Sequence, residues 1–451
     1  MQKLFIANRG EIAVRVIRAA RELGIRSVVG ASAPDAGSYA AGLADECVII
    51  GPASAGKSYL NQQAVLQAAI DSGCDALHPG YGFLSENADF ARAVTDAGLV
   101  WVGPSPESIE MMGNKARARR AADEAGVPTL RGSRGTVTPG EDLLVEAAAI
   151  GYPLVVKASA GGGGRGIRLV QAADDLAPTV EVAQAEALAA FGSADVYLER
   201  FVARARHVEV QVLGDGKNVI HLGDRDCSMQ RRQQKIVEEA PAPRLPDAVR
   251  ERIRASSVEL ARQCNYSGLG TVEFLYDPET QEAAFIEMNT RLQVEHPVTE
   301  MITGLDLVRE QLLVAAGGRL RLSQEQVEFR GHAFEFRINA EDPANGFMPS
   351  PGTLARVDWP GGPGVRVDSG VVTGSTVAPY YDSLLAKLVV WDSSREQCVA
   401  RSARALGEVV IDGVKTTLPL LAALLDRPEL LAVEHHSTFI ETTPELLGAL
   451  V

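Results

Sequence analysis

Over the first 110 residues, short apolar runs alternate with longer amphipathic patterns. The apolar runs have the length of strands, and the patterns between them have the period of a helix. Strands are expected at residues 4–7, 27–30, 47–50, 76–77 and 100–102, and helices at residues 12–23 and 61–71. This alternation predicts βαβ units and therefore a parallel sheet covered by helices. Ligands usually bind where such strands end, and the loops at residues 7–11 and 78–87 are the most conspicuous.

The pattern changes after a predicted helix at residues 115–125. Residues 152–170 suggest a strand, a glycine-rich turn and a second strand, the pattern of a flap. Beyond it, strands are expected at 206–213 and 219–222, and helices at 247–264 and 305–316. From residue 331, Gly and Pro separate short strands, which is typical of an antiparallel sheet. The predicted fold class is α/β, α+β overall, with domains at 1–112, 113–330 (flap at about 130–200) and 331–451.

The segment 287–297 alternates polar and apolar side chains with the period of a strand. Read as a strand, it presents one polar face, and the opposite face is apolar or small. The polar face consists of Glu287, Asn289, Arg291, Gln293 and Glu295. The ordinary interpretation is a half-buried strand with a solvated face, but the segment just before it favours a functional face.

Two strand-like runs, at 271–276 and 283–287, flank a turn at 277–280. A hairpin on this turn places Glu273 opposite Glu287, with Cβ atoms roughly 5 Å apart, and a cation would remove the resulting repulsion. With Asn289 on the same face, the donors are all hard oxygens, which suit Mg²⁺ or Mn²⁺ rather than Zn²⁺. Because protein-bound Mg²⁺ usually completes its coordination with substrate phosphates, a nucleotide site is expected here.

Three other patterns have competing interpretations. Residues 51–58 match the P-loop, but Asn61 is the expected N-cap of the next helix, so the loop does not open that helix. Gly161, Gly163 and Gly166 satisfy GxGxxG, yet this run leads into a strand; we expect a flap over phosphates, with Lys157 supplying charge. The charged run at 224–239, taken alone, favours a solvated loop.

Composition limits the classes of function. The chain has 451 residues, 46% of them hydrophobic, enough for two or three cores. A net charge of −14 argues against a general nucleic-acid or membrane binder. Five scattered cysteines fit free thiols, and no apolar run approaches 18 residues, so the expected location is the cytoplasm.

Seven motifs in order resemble the biotin carboxylases of the ATP-grasp superfamily over essentially the whole chain. They are ANRGEIA at Ala7, HPGYGFLSEN at His78, KASAGGGGRG at Lys157, RHVEVQV at Arg206, RDCSMQRR at Arg225, EMNTRLQVEHPVTEM at Glu287 and RINAED at Arg337. The resemblance implies that ATP phosphorylates bicarbonate to carboxyphosphate, which then carboxylates biotin on a carrier protein.

The resemblance also implies roles for individual residues. Glu273, Glu287 and Asn289 would hold the metal, and Glu295 would be the general base. Arg337 would bind biotin and stabilise its enolate, and bicarbonate would be bound by Lys235, Arg291, Gln293 and the Val294 N–H. ATP would be held by Lys115, Lys157, Gly163, Gly164, Glu199, Arg200, Phe201, Val202, His207, Gln230 and Gln233, together with the metal carboxylates, with Glu199 and Val202 at the adenine.

The chain departs from the common family pattern at three positions. Gln233 stands where many members have His, Ala160 replaces a flap glycine, and Pro363 replaces an aromatic that contacts a second subunit in the bacterial type. The expected partners are a biotin carboxyl carrier, the carboxyltransferase subunits of an acetyl-CoA carboxylase, and a second copy in a homodimer. Two alternatives stay open: another ATP-grasp ligase, and a catalytically silent ATP-binding homologue.

Overall fold

The computed structural model describes residues 1–133, 135–159 and 166–448, and its N-terminal region is built on a parallel sheet. The strands are β1 (Lys3–Ile6), β2 (Arg26–Ser32), β3 (Glu46–Gly51), β4 (Ala76–His78) and β5 (Val100–Trp101), in the order β3-β2-β1-β4-β5. The helices are α1 (Gly10–Glu22), α2 (Tyr39–Leu43), α3 (Gln62–Asp71), α4 (Ala88–Asp96) and α5 (Pro106–Gly113), with 3₁₀ turns at Ala33–Asp35 and Ala55–Lys57. The predicted parallel sheet is confirmed.

Polar side chains fix the loops at the carboxyl edge of this sheet. The Asn8 amide donates to the carbonyls of Pro79 (2.8 Å) and Tyr81 (2.7 Å), which joins the loops after β1 and β4. Gly80 has φ +65°, and a Cβ there would lie 2.6 Å from the Asn8 side chain. Asn61 caps α3 by accepting from the Ala64 N–H, as expected, so residues 51–58 do not open this helix as a P-loop would.

A second region contains the pair of antiparallel strands expected of a flap. Its strands are β6 (Leu154–Ala158), β7 (Ile167–Val170) and β8 (Val196–Arg200), which pair antiparallel in the order β7-β6-β8. Helices α6 (Lys115–Glu124), α7 (Glu141–Ile150) and α8 (Leu176–Phe191) precede or flank them, with a 3₁₀ turn at Ala173–Asp175. Ala160, Gly161, Gly163 and Gly164 lie outside the described residues.

An eight-stranded antiparallel sheet dominates the rest of the chain. Its strands are β9 (Arg206–Asp215), β10 (Val219–Arg231), β11 (Gln234–Ala240), β12 (Ser267–Asp277), β13 (Glu282–Asn289), β14 (His332–Asn339), β19 (Val365–Ser369) and β21 (Leu384–Asp392). They are ordered β13-β12-β9-β10-β11-β14-β21-β19. The sheet passes from β11 to β14 across residue 330, where a domain boundary is predicted; the predicted boundaries stay predictions.

Shorter elements complete the fold. The strands are β15 (Glu341–Asp342), β16 (Met348–Pro349), β17 (Gly352–Thr353), β18 (Arg356–Asp358), β20 (Thr376–Val377) and β22 (Val410–Asp412), paired as β15-β16, β17-β20 and β18-β22. The helices are α9 (Asp247–Gln263), α10 (His296–Thr303), α11 (Leu307–Ala315), α12 (Arg395–Glu408), α13 (Leu418–Leu425), α14 (Pro428–Leu431), α15 (Phe439–Thr442) and α16 (Pro444–Gly448), with 3₁₀ turns at Gln324–Gln326 and Pro343–Asn345. The predicted α/β class with a C-terminal antiparallel sheet is confirmed.

The interpretation of residues 224–239 as a solvated loop is wrong. These residues lie in β10 and β11, and the tight turn between the strands has positive φ at Arg232 (47°) and Gln233 (64°). Asp224, Arg225 and Asp226 are buried, and each has a partner of opposite charge. Arg254 lies 2.5 Å from Asp224, Glu209 lies 2.6 Å from Arg225, and Arg206 lies 2.6 Å from Asp226.

The prediction of a continuous strand through Glu295 is also wrong. Strand β13 ends at Asn289, and an irregular segment, residues 290–295, leads into α10. Pro297 fixes a helical φ in the first turn of that helix, which ends the extended conformation. The two predicted faces persist only in part: Met288, Thr290 and Leu292 are buried outside the wall of the cavity described below, whereas Val294, expected on the same face, lies in that wall.

Candidate active site

One cavity of about 1560 Å³ lies between the N-terminal region, the flap and the large sheet. It brings together most of the residues selected from the sequence. Its wall includes Lys115, Lys157, Glu199, His207, Gln230, Gln233, Lys235, Glu273, Glu287, Asn289, Arg291, Gln293, Val294, Glu295 and Arg337. Of the other predicted residues, Arg200, Phe201 and Val202 are described but are not part of this wall, and Gly163 and Gly164 fall outside the described residues.

Glu199 organises the flap side of the cavity. Its carboxylate pairs with the Lys157 ammonium in a very short contact and with the Arg119 guanidinium at 3.1 Å. The Arg119 fork also donates to the Leu130 carbonyl, 2.8 Å away. Lys115 stands at the first position of α6, the positive end of the helix dipole. This end of the cavity therefore offers cations suited to phosphate, although Lys157 is paired with a carboxylate in this conformation.

The predicted pairing of Glu273 with Glu287 is confirmed by the register of β12 and β13. Register extends the row across the sheet, since Glu273 also lies opposite Glu209 on β9, and Glu209 lies opposite Arg225 on β10. We call Glu287, Glu273 and Glu209 the three-glutamate row. Three carboxylates on adjacent strands repel one another unless cations neutralise them.

Neutralising groups surround the middle of the three-glutamate row. The Lys235 ammonium lies 3.0 Å from Glu273 and 2.7 Å from Glu209, and His207 Nε2 lies 3.1 Å from Glu273. Burial alone would raise the pKa of Glu273, but Lys235 and His207 hold that pKa well below its usual range. Glu287 is compensated only in part, by Lys115 and His207, and its pKa is raised by burial and by the charge of Glu273.

The end of the three-glutamate row fits a divalent cation. Glu273 and Glu287 supply carboxylate oxygens on neighbouring strands, and a bound dication would remove the repulsion that raises the pKa of Glu287. The Asn289 amide occupies the same edge, where its nitrogen donates to Glu273 at 2.8 Å and its oxygen accepts from Arg291 at 2.9 Å. The Asn289 oxygen has two lone pairs, so it could bind a metal ion with its second lone pair while Arg291 keeps the first.

Glu295 lies between two cations. The Lys235 ammonium is 2.6 Å from one carboxylate oxygen and the Arg337 guanidinium is 3.0 Å from the other. Burial raises the pKa of Glu295, but Lys235, Arg337 and Arg225 outweigh burial and hold that pKa well below its usual range. Glu295 is therefore an ionised, fully buried carboxylate in contact with cations on both sides, so it can accept a proton from a ligand that displaces one of them.

Arg291 and Arg337 are each held by a carboxylate. Arg291 Nε donates to Glu86 at 2.8 Å, and its Nη1 donates to the Gln293 side chain at 3.0 Å. Arg337 Nε donates to Glu238 at 2.6 Å. These contacts present two planar guanidinium groups to the cavity, where they suit planar oxyanions.

Sequence reasoning assigned no role to Glu86, Glu209 or Glu238. A signal was present for Glu209, because residues 207–212 of β9 alternate polar and apolar side chains just as residues 287–295 do. Glu86 and Glu238 belong to a loop and a strand remote in sequence from their arginine partners. Their pairing follows from the tertiary fold and has no local sequence signature.

The site and the fold define an ATP-grasp enzyme. Family models match residues 1–109 (biotin carboxylase, N-terminal domain), 114–323 (carbamoyl-phosphate synthase L chain, ATP binding domain) and 335–442 (biotin carboxylase C-terminal domain). Biotin carboxylase 1 of Bacillus subtilis is 49% identical over 98% of each chain. The chain belongs to the biotin carboxylase family, which confirms the resemblance found in its motifs.

Solved structures agree with this assignment. The biotin carboxylase domain dimer of Hydrogenobacter thermophilus 2-oxoglutarate carboxylase, in complex with MgADP, ADP and bicarbonate, is 46% identical. It superposes with a TM-score of 0.91 over 99% of this chain and 98% of that one. A biotin carboxylase complex from Campylobacter jejuni is 41% identical, with a TM-score of 0.92 over 98% of each chain. The predicted ATP-grasp fold is thereby confirmed.

Proposed function

We propose that this chain uses ATP and bicarbonate to carboxylate biotin through carboxyphosphate. The observation that carries the proposal is the position of Glu295, ionised and buried between Lys235 and Arg337 at 2.6 and 3.0 Å. A base held between two cations can deprotonate an anion bound at one of them and remain close to an acceptor bound at the other.

The nucleotide is assigned to the flap side of the cavity. Lys115 and Lys157 would neutralise phosphate oxygens, while Glu199, Arg200, Phe201 and Val202 would meet the base and sugar. His207, Gln230, Gln233, Gly163 and Gly164 complete the predicted nucleotide set. Glu273, Glu287 and Asn289 would hold Mg²⁺ or Mn²⁺, which would neutralise charge on the transferred phosphoryl group. The oxygen donors of the three-glutamate row support this placement.

Bicarbonate is assigned to the Arg291 side of Glu295. Arg291 and Gln293 already share a 3.0 Å hydrogen bond and would present donors to a planar anion, together with Lys235 and the Val294 N–H. Glu295 would remove the bicarbonate proton. Arg337, on the opposite side of Glu295, would bind biotin and stabilise negative charge on its ureido oxygen as the nitrogen attacks.

The partners are part of the proposal. We infer that biotin arrives on a carboxyl carrier protein and that carboxyltransferase subunits pass the carboxyl group to acetyl-CoA, with the chain acting in the cytoplasm. In the described residues, no helix combines the length and apolar character needed to span a bilayer. Transfer of labelled carboxyl from the carrier to acetyl-CoA, propionyl-CoA or pyruvate identifies the acceptor.

A homodimer is proposed with one local difference from the bacterial type. Pro363 lies in an exposed turn between Gly362 and Gly364, where it offers no aromatic ring to a second subunit. We expect a dimer weaker than one with an aromatic at this position. Sedimentation at several concentrations measures its dissociation constant, and Pro363→Phe should lower that constant.

The direct test is phosphate release from ATP in the presence of Mg²⁺ and bicarbonate, with and without free biotin. Release should depend on bicarbonate, rise with biotin, and collapse in Arg291→Ala. Arg262→Ala is the matched control, because Arg262 pairs with Glu259 on the solvent-exposed face of helix α9. Nucleotide binding without any response to bicarbonate or biotin would refute the proposal and favour a silent homologue, whereas turnover with an amine acceptor would favour another ligase.

A further inference from the structure

Lys387, on strand β21, is a fully buried lysine that the reaction described above does not use. Its ammonium donates to the Val294 carbonyl at 2.8 Å and lies 3.1 Å from a Glu11 carboxylate oxygen. The other Glu11 oxygen accepts from the Tyr81 hydroxyl at 2.5 Å. One side chain therefore connects three segments that are remote in sequence: helix α1, the loop after β4 and the irregular segment 290–295.

The irregular segment needs such a connection. Strand β13 ends at Asn289, so the carbonyls that follow lack the continuous ladder partners of a strand and must be satisfied in other ways. The Val294 carbonyl belongs to the peptide that joins Val294 to Glu295, and the next backbone bond on this turn, from Val298 N–H to the Glu295 carbonyl, is long at 3.4 Å. The Lys387 bond thus fixes the peptide next to the proposed base.

Lys387 is charged in the folded protein. Burial alone would lower its pKa, but neighbouring carboxyl groups, Glu11 first among them, outweigh burial and raise that pKa above its usual value. A charged donor makes a stronger hydrogen bond to a carbonyl than a neutral donor does. Tyr81 and Val294 both line the cavity. Lys387 therefore contacts the cavity wall directly at Val294, and through Glu11 it is connected to the wall at Tyr81.

We propose that Lys387 is a positioning residue for the bicarbonate and biotin end of the site. Through the Val294 carbonyl it sets the orientation of the Val294–Glu295 peptide, and through Glu11 it fixes the Tyr81 hydroxyl. This inference rests on the proposed function for its kinetic consequence, but its structural consequence can be tested independently of turnover.

The test uses a single and a double variant. Lys387→Met alone leaves the Glu11 carboxylate buried without its cation, which threatens folding. The double variant Lys387→Met/Glu11→Gln removes both charges and keeps a polar group near Tyr81. We expect it to fold and to bind MgADP within about twofold of wild type, while the KM for bicarbonate rises about tenfold or more and biotin-stimulated phosphate release falls.

A matched control exists in the N-terminal sheet. Lys3 is also largely buried, pairs with Glu46 at 2.7 Å, and donates to the Ser72 carbonyl at 2.6 Å, but it lies outside the cavity wall. The double variant Lys3→Met/Glu46→Gln removes the same chemical groups. It should leave the KM for bicarbonate within about twofold of wild type.

Hydrogen–deuterium exchange supplies the readout that does not need activity. In Lys387→Met/Glu11→Gln, amides of residues 290–297 should exchange faster than in wild type, while those of α12 stay unchanged. Unchanged exchange at 290–297, or a folded double variant whose KM for bicarbonate stays within twofold of wild type, overturns the inference. A wild-type protein without bicarbonate-dependent turnover would instead contradict the proposed function, and exchange alone would then decide the role of Lys387.

Discussion

His78 should make the stability of this protein depend on pH between 7.5 and 5. The side chain is fully buried at the end of β4. Its Nδ1 accepts the Gly80 N–H at 2.9 Å, and its Nε2 lies 3.2 Å from the Gln311 amide oxygen. These partners require a neutral ring with the proton on Nε2, because a proton on Nδ1 would break the bond to Gly80.

The magnitude follows from the pKa of His78. Burial, reinforced by the charge of Arg15 and opposed by the Gln311 bond, lowers that pKa to about 4, against about 6.5 in an unfolded chain. The unfolded protein therefore binds the proton more readily. The stability contribution is complete above about pH 6.5 and is lost as pH falls towards 4. The loss is roughly 2 kcal/mol at pH 5 and about 3 kcal/mol near pH 4.

The perturbation is His78→Asn, whose side-chain oxygen can still accept from Gly80 but does not titrate. At pH 7.5 the variant should be less stable by about 1–3 kcal/mol, because Gln311 loses its partner. Between pH 7.5 and 5 that gap should narrow by about 2 kcal/mol. For 451 residues the unfolding entropy is roughly 0.9 kcal/mol/K, so the two Tm values should converge by about 2 °C.

Differential scanning calorimetry at pH 7.5, 6.5, 5.5 and 5.0 measures this convergence. Val65→Ala, a truncation at a fully buried position on α3, is the control: it destabilises the same region without a titratable group, so its Tm should stay parallel to wild type. If His78→Asn also stays parallel to wild type, His78 is not held neutral and the reasoning fails.

Three further predictions concern single side chains. Burial raises the pKa of Glu335 well above its usual range, so the contribution of Glu335 to stability is complete below about pH 4.3 and is lost as pH rises; the Tm of Glu335→Gln should gain on wild type from pH 5 to 8, and a constant difference would contradict this. Cys47 is exposed, whereas the other four cysteines are buried. A disulfide reagent should therefore react with one thiol of the native protein before the others, and Cys47→Ser should remove that reaction. Equally fast reaction at a second thiol would contradict the burial of the other four. Arg291→Lys keeps the charge but loses the planar fork, so the KM for bicarbonate should rise about tenfold while the KM for ATP changes little; equal changes would place Arg291 elsewhere.

Local patterns predicted much of the fold because local physics determines it. The βαβ rhythm, the Asn61 cap and the register that sets Glu273 against Glu287 all depend on residues close in sequence. The alternation at 287–295 predicted the faces correctly as far as Gln293 although the strand stops at Asn289, since Met288 and Leu292 are buried outside the cavity wall; it was wrong for Val294, which lines the cavity.

The burial of charged residues could not be predicted from local patterns, because it depends on partners from segments that are distant in sequence. Residues 224–239 are rich in charge, which ordinarily indicates a solvated loop. Their burial is possible because Arg254 reaches Asp224 from α9 and Glu209 reaches Arg225 from β9. Lys387 is a similar case, since its partners Glu11 and Val294 come from segments that are remote in sequence.

The proposed function of the three-glutamate row accounts for the large number of buried charges in the eight-stranded sheet. Buried ion pairs are weak sources of stability, because desolvation offsets their attraction. In this structure Lys235 contacts Glu209, Glu273 and Glu295 at once. It therefore neutralises carboxylates that the proposed reaction uses to bind the metal, at Glu273, and to remove a proton, at Glu295. A divalent cation at Glu273 and Glu287 would take over part of that balance and leave Lys235 free to attract an anion. These buried charges therefore form a binding site whose charge is fully balanced only when a metal ion and an anion are bound. Without those ligands, the buried carboxylates lower the free energy of unfolding.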